Sequence, residues 1–452
     1  MKIELYDYDI YPKVFLAGGE RTVTIQPFGL HAAFAPGRTY EVQICAMEEG
    51  RPNLYPDWAS FRRFSLVPGE DGCLRVTCDF PTEQEYLIEI FSEPGKRLVR
   101  LSVYALAGDM AGRYPFRGDL HMHTCRSDGR EAPDIVCANY RAAGYDFFTV
   151  TDHHRYYPSL EVIRKFAPLR LDYSLIPGEE VHLPLTDIHI VNFGGDFSVN
   201  GLVEGLPQNT ERGDDPAWRS ATGECPPVLT REEYERQIRE RAKDAPFDSE
   251  AARLSYAVCL WAFEKIRQGH GLGVFAHPYW RQYVFQVPEK FLEVMMNEHP
   301  FDAFEVLGGE NYFEHNGFQT VRYYQDQARG CRYPIVGSTD SHGSTEHNRN
   351  ARICSTIVFA PDATRDSLVS SVKDFYSVAV DTISPEFRIV GDLRLVKYAC
   401  FLLNHYFPLH DRLCAIEGEL LREYAVDDPK AEKRIEAMRD ALPDMRRKYF
   451  DL

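Results

Sequence analysis

Histidine and carboxylate residues follow several short apolar runs of this sequence, at the points where strands would end. The first group reads DLHMH and contains His121 and His123, and SDG, with Asp128, comes a few residues later. Because side chains alternate along a strand, His121 and His123 point to the same side. Two imidazoles on one side can bind one metal ion, and Asp128 could reach a neighbouring ion.

Four later clusters place the same residue types directly after apolar runs. If these runs are parallel strands of a barrel, their carboxyl ends form one mouth, and residues far apart in sequence converge there. The segments are TDHH, GEEV followed by HIV, AHP and TDSH, and they contain His153, Glu180, His189, His277, Asp340 and His342.

The residue types indicate which ions such a site would hold. Imidazoles and carboxylates without a thiolate suit hard or borderline divalent ions, and Cys125, inside the first group, has no other soft ligand nearby. Nine candidate ligands exceed the four to six bonds of one ion. We therefore expect two or three divalent ions and at least one bridging carboxylate.

The elements that would position these residues form the middle of the chain. Residues 113–385 alternate short apolar runs with helical stretches, which is typical of βα units. Residues 196–250 are irregular and are predicted to be an insertion, either a lid or pocket wall or a surface decoration.

The two flanking segments differ from the middle. In residues 1–112 the run 99–105 alternates with a period of two residues, and further short strand candidates are 22–25, 40–45, 74–78 and 86–90. Several short strands at this spacing predict a β-sandwich. Residues 386–452 are predicted to be helical, with one helix beginning near Pro429 and containing Ile435, Met438 and Leu442.

Composition limits the class of protein. The 452 residues are 44% hydrophobic and 26% charged, as in soluble globular proteins, and the net charge of −17 argues against binding of long nucleic acids. The N-terminus lacks the apolar core of a secretion signal, and no stretch is apolar enough to span a membrane. Eleven scattered cysteines fit a reducing compartment, so we expect a cytoplasmic protein. The oligomeric state is not predicted.

Taken together, DLHMHT with SDG, TDHH, GEEV with HIV, AHP and TDSH resemble the motifs of the polymerase and histidinol phosphatase (PHP) superfamily of metallophosphoesterases. The resemblance covers about residues 113–360. It implies an α/β fold class: a distorted (β/α)7 PHP barrel with a trinuclear metal centre at its C-terminal mouth, here with an N-terminal β-sandwich domain and C-terminal helices.

The resemblance also implies three sets of ligands for Zn, Mn or Fe ions. In GEEV the spacing favours Glu180 over Glu179 as the bridging ligand, because Glu179 would alternate away from the site. Asp128 stands where some members have a histidine. The implied ligands are His121, His123, Glu180 and Asp340 for the first ion; Glu180, His189 and His277 for the second; and Asp128, His153 and His342 for the third.

The expected activity is hydrolysis of a small phosphate ester by a hydroxide that bridges two ions. His154 is a candidate general acid, and Arg155 is a candidate phosphate clamp because a guanidinium matches phosphate oxygens. Other candidates for the clamp are Arg349 and Arg352, and candidates for orienting a ligand are His182 and Glu305.

Two other functions remain open at this point. The same metal site could hydrolyse a carbamate or carboxylic ester, and the N-terminal β domain is reminiscent of the branch with carbaryl-hydrolase-type enzymes. The chain could also be a non-catalytic, metal-stabilised binding module. An amidohydrolase barrel likewise begins with HxH, but the TDH and DxH motifs suit the PHP pattern better.

Overall fold

The chain divides into two compact units. The computed structural model describes residues 7–29, 31–308, 313–345, 354–382 and 387–452. Unit 1 comprises Met1–Tyr114, Lys397–His410 and Asp440–Leu452, and unit 2 comprises Pro115–Val396 and Asp411–Arg439. The segment 386–452, which is predicted to be helical, contributes residues to both units.

Unit 1 contains two β-sheets. Its strands are β1 (Tyr8–Tyr11), β2 (Val14–Leu16), β3 (Glu20–Pro27), β4 (Tyr40–Ala46), β5 (Arg62–Leu66), β6 (Leu74–Asp79), β7 (Gln84–Glu93), β8 (Lys96–Leu106) and β20 (Phe450–Asp451). One sheet has the order β1-β3-β6 and the other β20-β2-β8-β7-β4-β5. All pairs are antiparallel except β2 with β8 and β2 with β20, which are parallel.

The two-residue period of the sequence explains how these strands pack. In β8 the side chains of Val99, Leu101 and Val103 are buried and Arg100 is exposed. Buried side chains from both sheets, such as Val23 and Ile88, form one hydrophobic cluster. The segments 22–25, 40–45, 74–78 and 86–90 lie within β3, β4, β6 and β7, as the pattern predicts.

Unit 2 contains two further sheets and most of the helices. Its strands are β9 (Tyr114–Asp119), which starts at the last residue of unit 1, β10 (Phe147–Phe148), β11 (Ser174–Leu175), β12 (Gly178–Val181), β13 (Ile190–Phe193), β14 (Leu272–Phe275), β15 (Ala303–Leu307), β16 (Ile335–Gly337), β17 (Cys354–Ala360), β18 (Ser377–Asp381) and β19 (Arg388–Val390). The strand orders are β11-β10-β9-β17-β18-β19 and β12-β13-β14-β15-β16.

Helices connect many of these strands. They are α1 (Pro133–Ala142), α2 (Tyr157–Phe166), α3 (Pro207–Arg212), α4 (Pro216–Arg219), α5 (Arg231–Arg241), α6 (Glu250–Gln268), α7 (Glu289–Glu298), α8 (Phe313–Ala328), α9 (Arg365–Lys373), α10 (Leu393–His405), α11 (Phe407–Ala425), α12 (Ala431–Glu436) and α13 (Ala441–Tyr449). No helix of the described residues is long and apolar enough to cross a membrane.

The sheets of unit 2 are only partly parallel, unlike the predicted βα pattern. β9, β10 and β11 are parallel, as are β14, β15 and β16. β12 and β14 both run antiparallel to β13. The connection 182–189 between β12 and β13 contains no helix, and so short a connection joins antiparallel strands. The (β/α)7 order stays a prediction.

The candidate ligands lie at the same end of these sheets, and the antiparallel direction of β13 contributes to this arrangement. His153 follows β10 and pairs with Glu180 in an isolated parallel bridge. Because β13 is antiparallel to β12, His189, just before β13, lies at the end where β12 finishes. A second parallel bridge joins Met122, after β9, to Ser341, after β16.

Residues 196–250 are ordered and contribute to the core of unit 2. They contain α3, α4 and α5, and side chains such as Val199, Tyr234 and Ile238 are buried in a hydrophobic cluster of unit 2. A purely surface decoration does not fit this burial. The role of a lid stays a prediction.

The predicted helix near Pro429 is divided in two. Ile435 lies in α12 and Leu442 in α13, and Met438 lies in the turn between them. In that turn the Met438 amide donates a hydrogen bond to the carbonyl of Ile435, three residues earlier, so the α-helical ladder is interrupted. Sequence spacing alone did not reveal this interruption.

Candidate metal centre

Glu180, on β12, lies at the centre of a cluster of imidazole rings. The His189 Nδ1 atom lies 2.8 Å from Oε1 of Glu180, and the His153 Nδ1 atom contacts Oε2. Four more rings face this carboxylate within 3.7 Å, and they belong to His121, His123, His182 and His277. The side chain of Glu180 is fully buried.

Asp340 lies on the other side of three of these rings. The His123 Nε2 atom is 2.9 Å and the His121 Nε2 atom 3.3 Å from its Oδ1. The His277 Nε2 atom is 3.7 Å from its Oδ2. Asp340 has a left-handed backbone with φ 51°, which aspartate tolerates better than most residues.

Asp128 forms the more exposed edge of the cluster. The His342 Nε2 atom is 3.4 Å from its Oδ1, and the His153 Nε2 atom is 3.5 Å from its Oδ2. The Asp128 side chain is 56% exposed, whereas those of Glu180 and His121 are fully buried. The structure thus brings all nine sequence-predicted ligands into one cluster with a buried and an accessible side.

Several buried atoms of this cluster have lone pairs but no hydrogen bond. Within the described part of the chain, buried atoms without a hydrogen-bond partner include Nε2 of His121, Nδ1 of His123, both carboxylate oxygens of Glu180, Nδ1 of His189 and both ring nitrogens of His277. Buried polar groups are normally satisfied, so this arrangement fits side chains that surround cations.

The pKa shifts of buried groups in the cluster also show strong attraction between carboxylates and imidazoles. Burial by itself would raise the pKa of Glu180, but the imidazoles of His189 and His153 lower it well below its ordinary value. Burial would lower the pKa of His121, but Asp340 and Glu180 raise it well above the ordinary value. Opposite charges are thus concentrated where water is excluded.

Glu305 contacts the His121 ring and the backbone of His277. Its Oε1 lies 3.1 Å from Nδ1 of His121, and its Oε2 accepts a hydrogen bond of 2.9 Å from the His277 amide. Glu305 is fully buried on β15. A carboxylate at the second nitrogen of an imidazole fixes the tautomer and the orientation of the ring, as the sequence-based prediction for Glu305 requires.

Two buried carboxylates support the loops that carry ligands, and sequence reasoning gave them no role. Asp119 accepts hydrogen bonds from the amides of His121 and Thr339 and from the Thr339 hydroxyl, and so joins two ligand segments. Burial raises its pKa to about 7. Asp152 accepts four hydrogen bonds from Thr124 and Ser127, just before Asp128. The position of Asp119 and Asp152 beside the histidine motifs is the sequence signal that could have identified this supporting role.

Gln208 of α3 fixes the chain after His153. Its Oε1 accepts hydrogen bonds from the amides of Tyr156, at 2.7 Å, and Tyr157, at 3.1 Å, at the start of α2. Its amide nitrogen donates to the carbonyl of Trp218 at 2.8 Å. Gln208 is fully buried, so a residue of the 196–250 segment caps the helix that follows the TDHH motif.

The two predicted catalytic residues lie beside the cluster. The His154 ring centroid is 4.6 Å from that of His182, and burial, with the neighbouring His182, lowers the pKa of His154 to about 4. At neutral pH this ring is unprotonated, a state that does not suit a general acid. The Arg155 guanidinium donates to both oxygens of Glu211 and to the His153 carbonyl. Both roles stay predictions, and Arg349 and Arg352 lie outside the described residues.

A cleft of about 630 Å³ begins at His154 and His182. The connection 183–187 forms one wall, and Leu206 and Arg231 of the 196–250 segment line another part. The cleft is large enough for a small organic group next to the cluster.

Comparisons with known proteins give no relative in sequence. No model of a protein family matches the chain, and no curated protein matches it.

Solved structures with some similarity include three hydrolase-like proteins. A two-domain protein from Bacteroides vulgatus with a predicted PHP-like metal-dependent phosphoesterase shares 15% identity over 59% of this chain and 65% of its own, with a TM-score of 0.38. A protein from Bifidobacterium adolescentis, named a metal-dependent phosphoesterase, shares 16% identity over 56% of this chain and 94% of its own, with a TM-score of 0.32.

The third is an amidohydrolase from Chromobacterium violaceum with bound sulfate and no metal. It shares 16% identity over 51% of this chain and 89% of its own, with a TM-score of 0.31. At such low identities and TM-scores, these similarities do not decide the activity of this chain. What the site can do rests on its own residues.

Proposed function

We propose that this protein is a metal-dependent hydrolase that cleaves a small phosphate ester, with two or three divalent ions such as Zn, Mn or Fe. One observation carries the proposal. The buried Glu180 carboxylate faces six imidazole rings within 3.7 Å, and neither of its oxygens accepts a hydrogen bond from any described residue.

The residues could hold two or three neighbouring ions, and Glu180 belongs to the first two of the implied ligand sets. Groups whose ligand atoms lie within 4.8 Å of one another include His121, His123 and Glu180, and also His123, Asp128, His153 and His342. Divalent ions bound here would supply Lewis acidity and lower the pKa of water towards neutrality.

The balance of charge at the site would favour a phosphate substrate. Three ions would carry a charge of about +6, and the ligand carboxylates Asp128, Glu180 and Asp340 balance only half of it. A protein with a net charge of −17 could therefore still bind a phosphate at this point. The exposed Asp128 side would admit the phosphate, and the cleft beside His154 and His182 would receive the leaving group.

The Arg155 guanidinium donates two hydrogen bonds to Glu211. Arg155 would therefore contact the phosphate only after these two hydrogen bonds break. An Arg155→Gln variant separates the possibilities. If Arg155 binds the phosphate, KM rises with little change in the hydrolysis of a neutral ester. If it only pairs with Glu211, both substrates are hydrolysed as before, because the pair touches neither substrate.

The assay that tests the proposed activity compares two ester classes. The protein is freed of metal, loaded with Mn²⁺ or Zn²⁺, and given p-nitrophenyl phosphate or 1-naphthyl methylcarbamate. We expect metal-dependent release of p-nitrophenol. Turnover of the carbamate alone would replace the phosphatase proposal with the alternative ester hydrolase. Metal binding without turnover of either class, or of a broad panel of esters, would favour the binding module.

A further inference from the structure

His182 belongs to the cluster but to none of the three ligand sets that the motifs imply. Its Nε2 atom lies 3.1 Å from Oε2 of Glu180 and 2.8 Å from Nδ1 of His153. His153, Glu180 and His182 can each offer a ligand atom, and these atoms lie within 4.8 Å of one another. These three atoms could therefore together hold a metal ion that belongs to none of the implied sets.

The local structure explains why His182 points at Glu180. The two residues are separated by one position at the end of β12, so their side chains emerge on the same side. Asn200 fixes this end of the strand. Its Oδ1 accepts a hydrogen bond of 2.9 Å from the His182 amide, and its Nδ2 donates to the Glu180 carbonyl at 3.0 Å.

His153 presents its two ring nitrogens to two different groups. Nε2 faces Asp128, which is also close to His342, and Nδ1 faces Glu180 and His182. A neutral imidazole has a lone pair on only one nitrogen. His153 can therefore serve as a ligand on one side at a time while its ring is neutral.

We propose that His182 is a metal ligand, and that with Glu180 Oε2 and His153 Nδ1 it forms a further position for a divalent ion. This position competes for His153 with the one formed by Asp128 and His342. The inference rests on the metal binding of the proposed function, but not on the identity of the ester. Because His182 also lines the cleft, an ion held there lies next to the bound leaving group.

A thiolate in place of His182 gives a spectroscopic test. In a His182→Cys variant loaded with Co²⁺, direct ligation produces an intense thiolate-to-cobalt absorption band that an imidazole ligand does not give. His154→Cys is the matched control, because its ring lies 4.6 Å from that of His182 in the same cleft but belongs to none of the ligand groups described above. Difference spectra against the wild type remove the contribution of the native cysteines.

We expect the band in His182→Cys and not in His154→Cys. No band in either variant, or equal bands in both, would overturn the inference. Wild-type protein that binds cobalt while both variants lack the band contradicts only the role of His182. Wild-type protein that binds no cobalt, zinc or manganese would overturn the proposed function and this inference together.

Metal counting tests the competition for His153 and does not depend on a new ligand. The variants Asp128→Ala, His182→Gln and the double variant are dialysed against the same Zn²⁺ or Mn²⁺ buffer, and bound metal is measured by elemental analysis. We expect the double variant to hold about one ion fewer than Asp128→Ala, because removal of the outer position leaves the inner one. Equal metal content in these two proteins would contradict a metal position at His182.

Discussion

Glu179 and Glu180 are neighbours on β12, are both fully buried, and have opposite surroundings. Glu179 accepts hydrogen bonds from Asn192 at 3.2 Å, Ser198 at 2.7 Å and Asn200 at 2.9 Å, and from the Val199 amide. Glu180 faces imidazole nitrogens on the other side of the strand and accepts no hydrogen bond from the described residues.

The difference separates a carboxylate that holds the fold from one that is positioned for a ligand. A buried charge is costly unless hydrogen bonds or an opposite charge compensate it. Four donors meet Glu179 within the protein, although burial still raises its pKa. Glu180 lacks such donors, so bound cations would complete its surroundings. Substitutions at these two positions should therefore affect different properties of the protein.

The largest effect is expected from Glu180→Gln. The amide is nearly isosteric but cannot bridge two ions, so bound metal should fall by at least one equivalent. Hydrolysis of p-nitrophenyl phosphate should fall by about 10³-fold or more, because metal ions contribute several kcal/mol to transition-state stabilisation. Elemental analysis and kcat/KM at saturating metal measure the two effects. A variant with full metal content and activity would mean that Glu180 is only a buried structural acid.

The second-largest effect is expected when a chelator removes the metal ions. With free metal at about 1,000 times Kd, binding adds about 4 kcal/mol to the free energy of unfolding. A chelator should therefore lower the thermal midpoint of the wild type and of Glu179→Gln, but should change that of Glu180→Gln much less. Differential scanning calorimetry with and without the chelator gives the comparison. Equal shifts of the thermal midpoint in all three proteins would show that metal binding does not depend on Glu180.

Glu179→Gln should affect stability rather than metal content. The substitution replaces one acceptor oxygen with an NH2 group that faces donors, and an unsatisfied buried group costs about 1–3 kcal/mol. Denaturant unfolding measures this loss, and elemental analysis should still find the wild-type number of ions. A loss of metal as large as in Glu180→Gln would show that the two faces of the strand are not independent.

The smallest effect is expected from Glu305→Gln, which changes the partner of the His121 ring and of the His277 amide. Partners behind ligating histidines typically change metal affinity by about 10–100-fold when they are substituted. Competition with a chromophoric chelator measures this affinity, and the number of ions at saturation should stay the same. An unchanged affinity would indicate that packing alone orients the His121 ring.

Sequence spacing was most informative where a strand determines direction. Alternation alone predicted that His121 and His123 share a side and that Glu179 turns away from Glu180, and both placements are found. The predicted strand segments of unit 1 form strands in the structure, and apolar runs before ligand motifs form strands such as β14 and β16. Periodicity predicts such strands because it reflects burial over a few neighbouring residues.

Contacts between distant segments were not predictable in this way. Nothing in the local sequence shows that Gln208 caps α2 or that Asn200 fixes the end of β12, since glutamine and asparagine side chains in an irregular segment have many possible partners. The antiparallel pairing of β12 with β13 depends on the absence of a helix in 182–189. The ligand roles of the nine residues remain predictions, because metal affinity depends on distances that spacing does not fix.

One feature of unit 1 bears on how the protein is made. β20 pairs in parallel with β2, and the Lys13 amide donates a hydrogen bond to the Tyr449 carbonyl, so one sheet joins residues from nearly opposite parts of the chain. During synthesis on a ribosome, this edge of the sheet cannot form until Asp451 has emerged. All residues of the histidine cluster, from His121 to His342, are translated earlier, so this segment can begin to fold while the sheet of unit 1 still lacks β20.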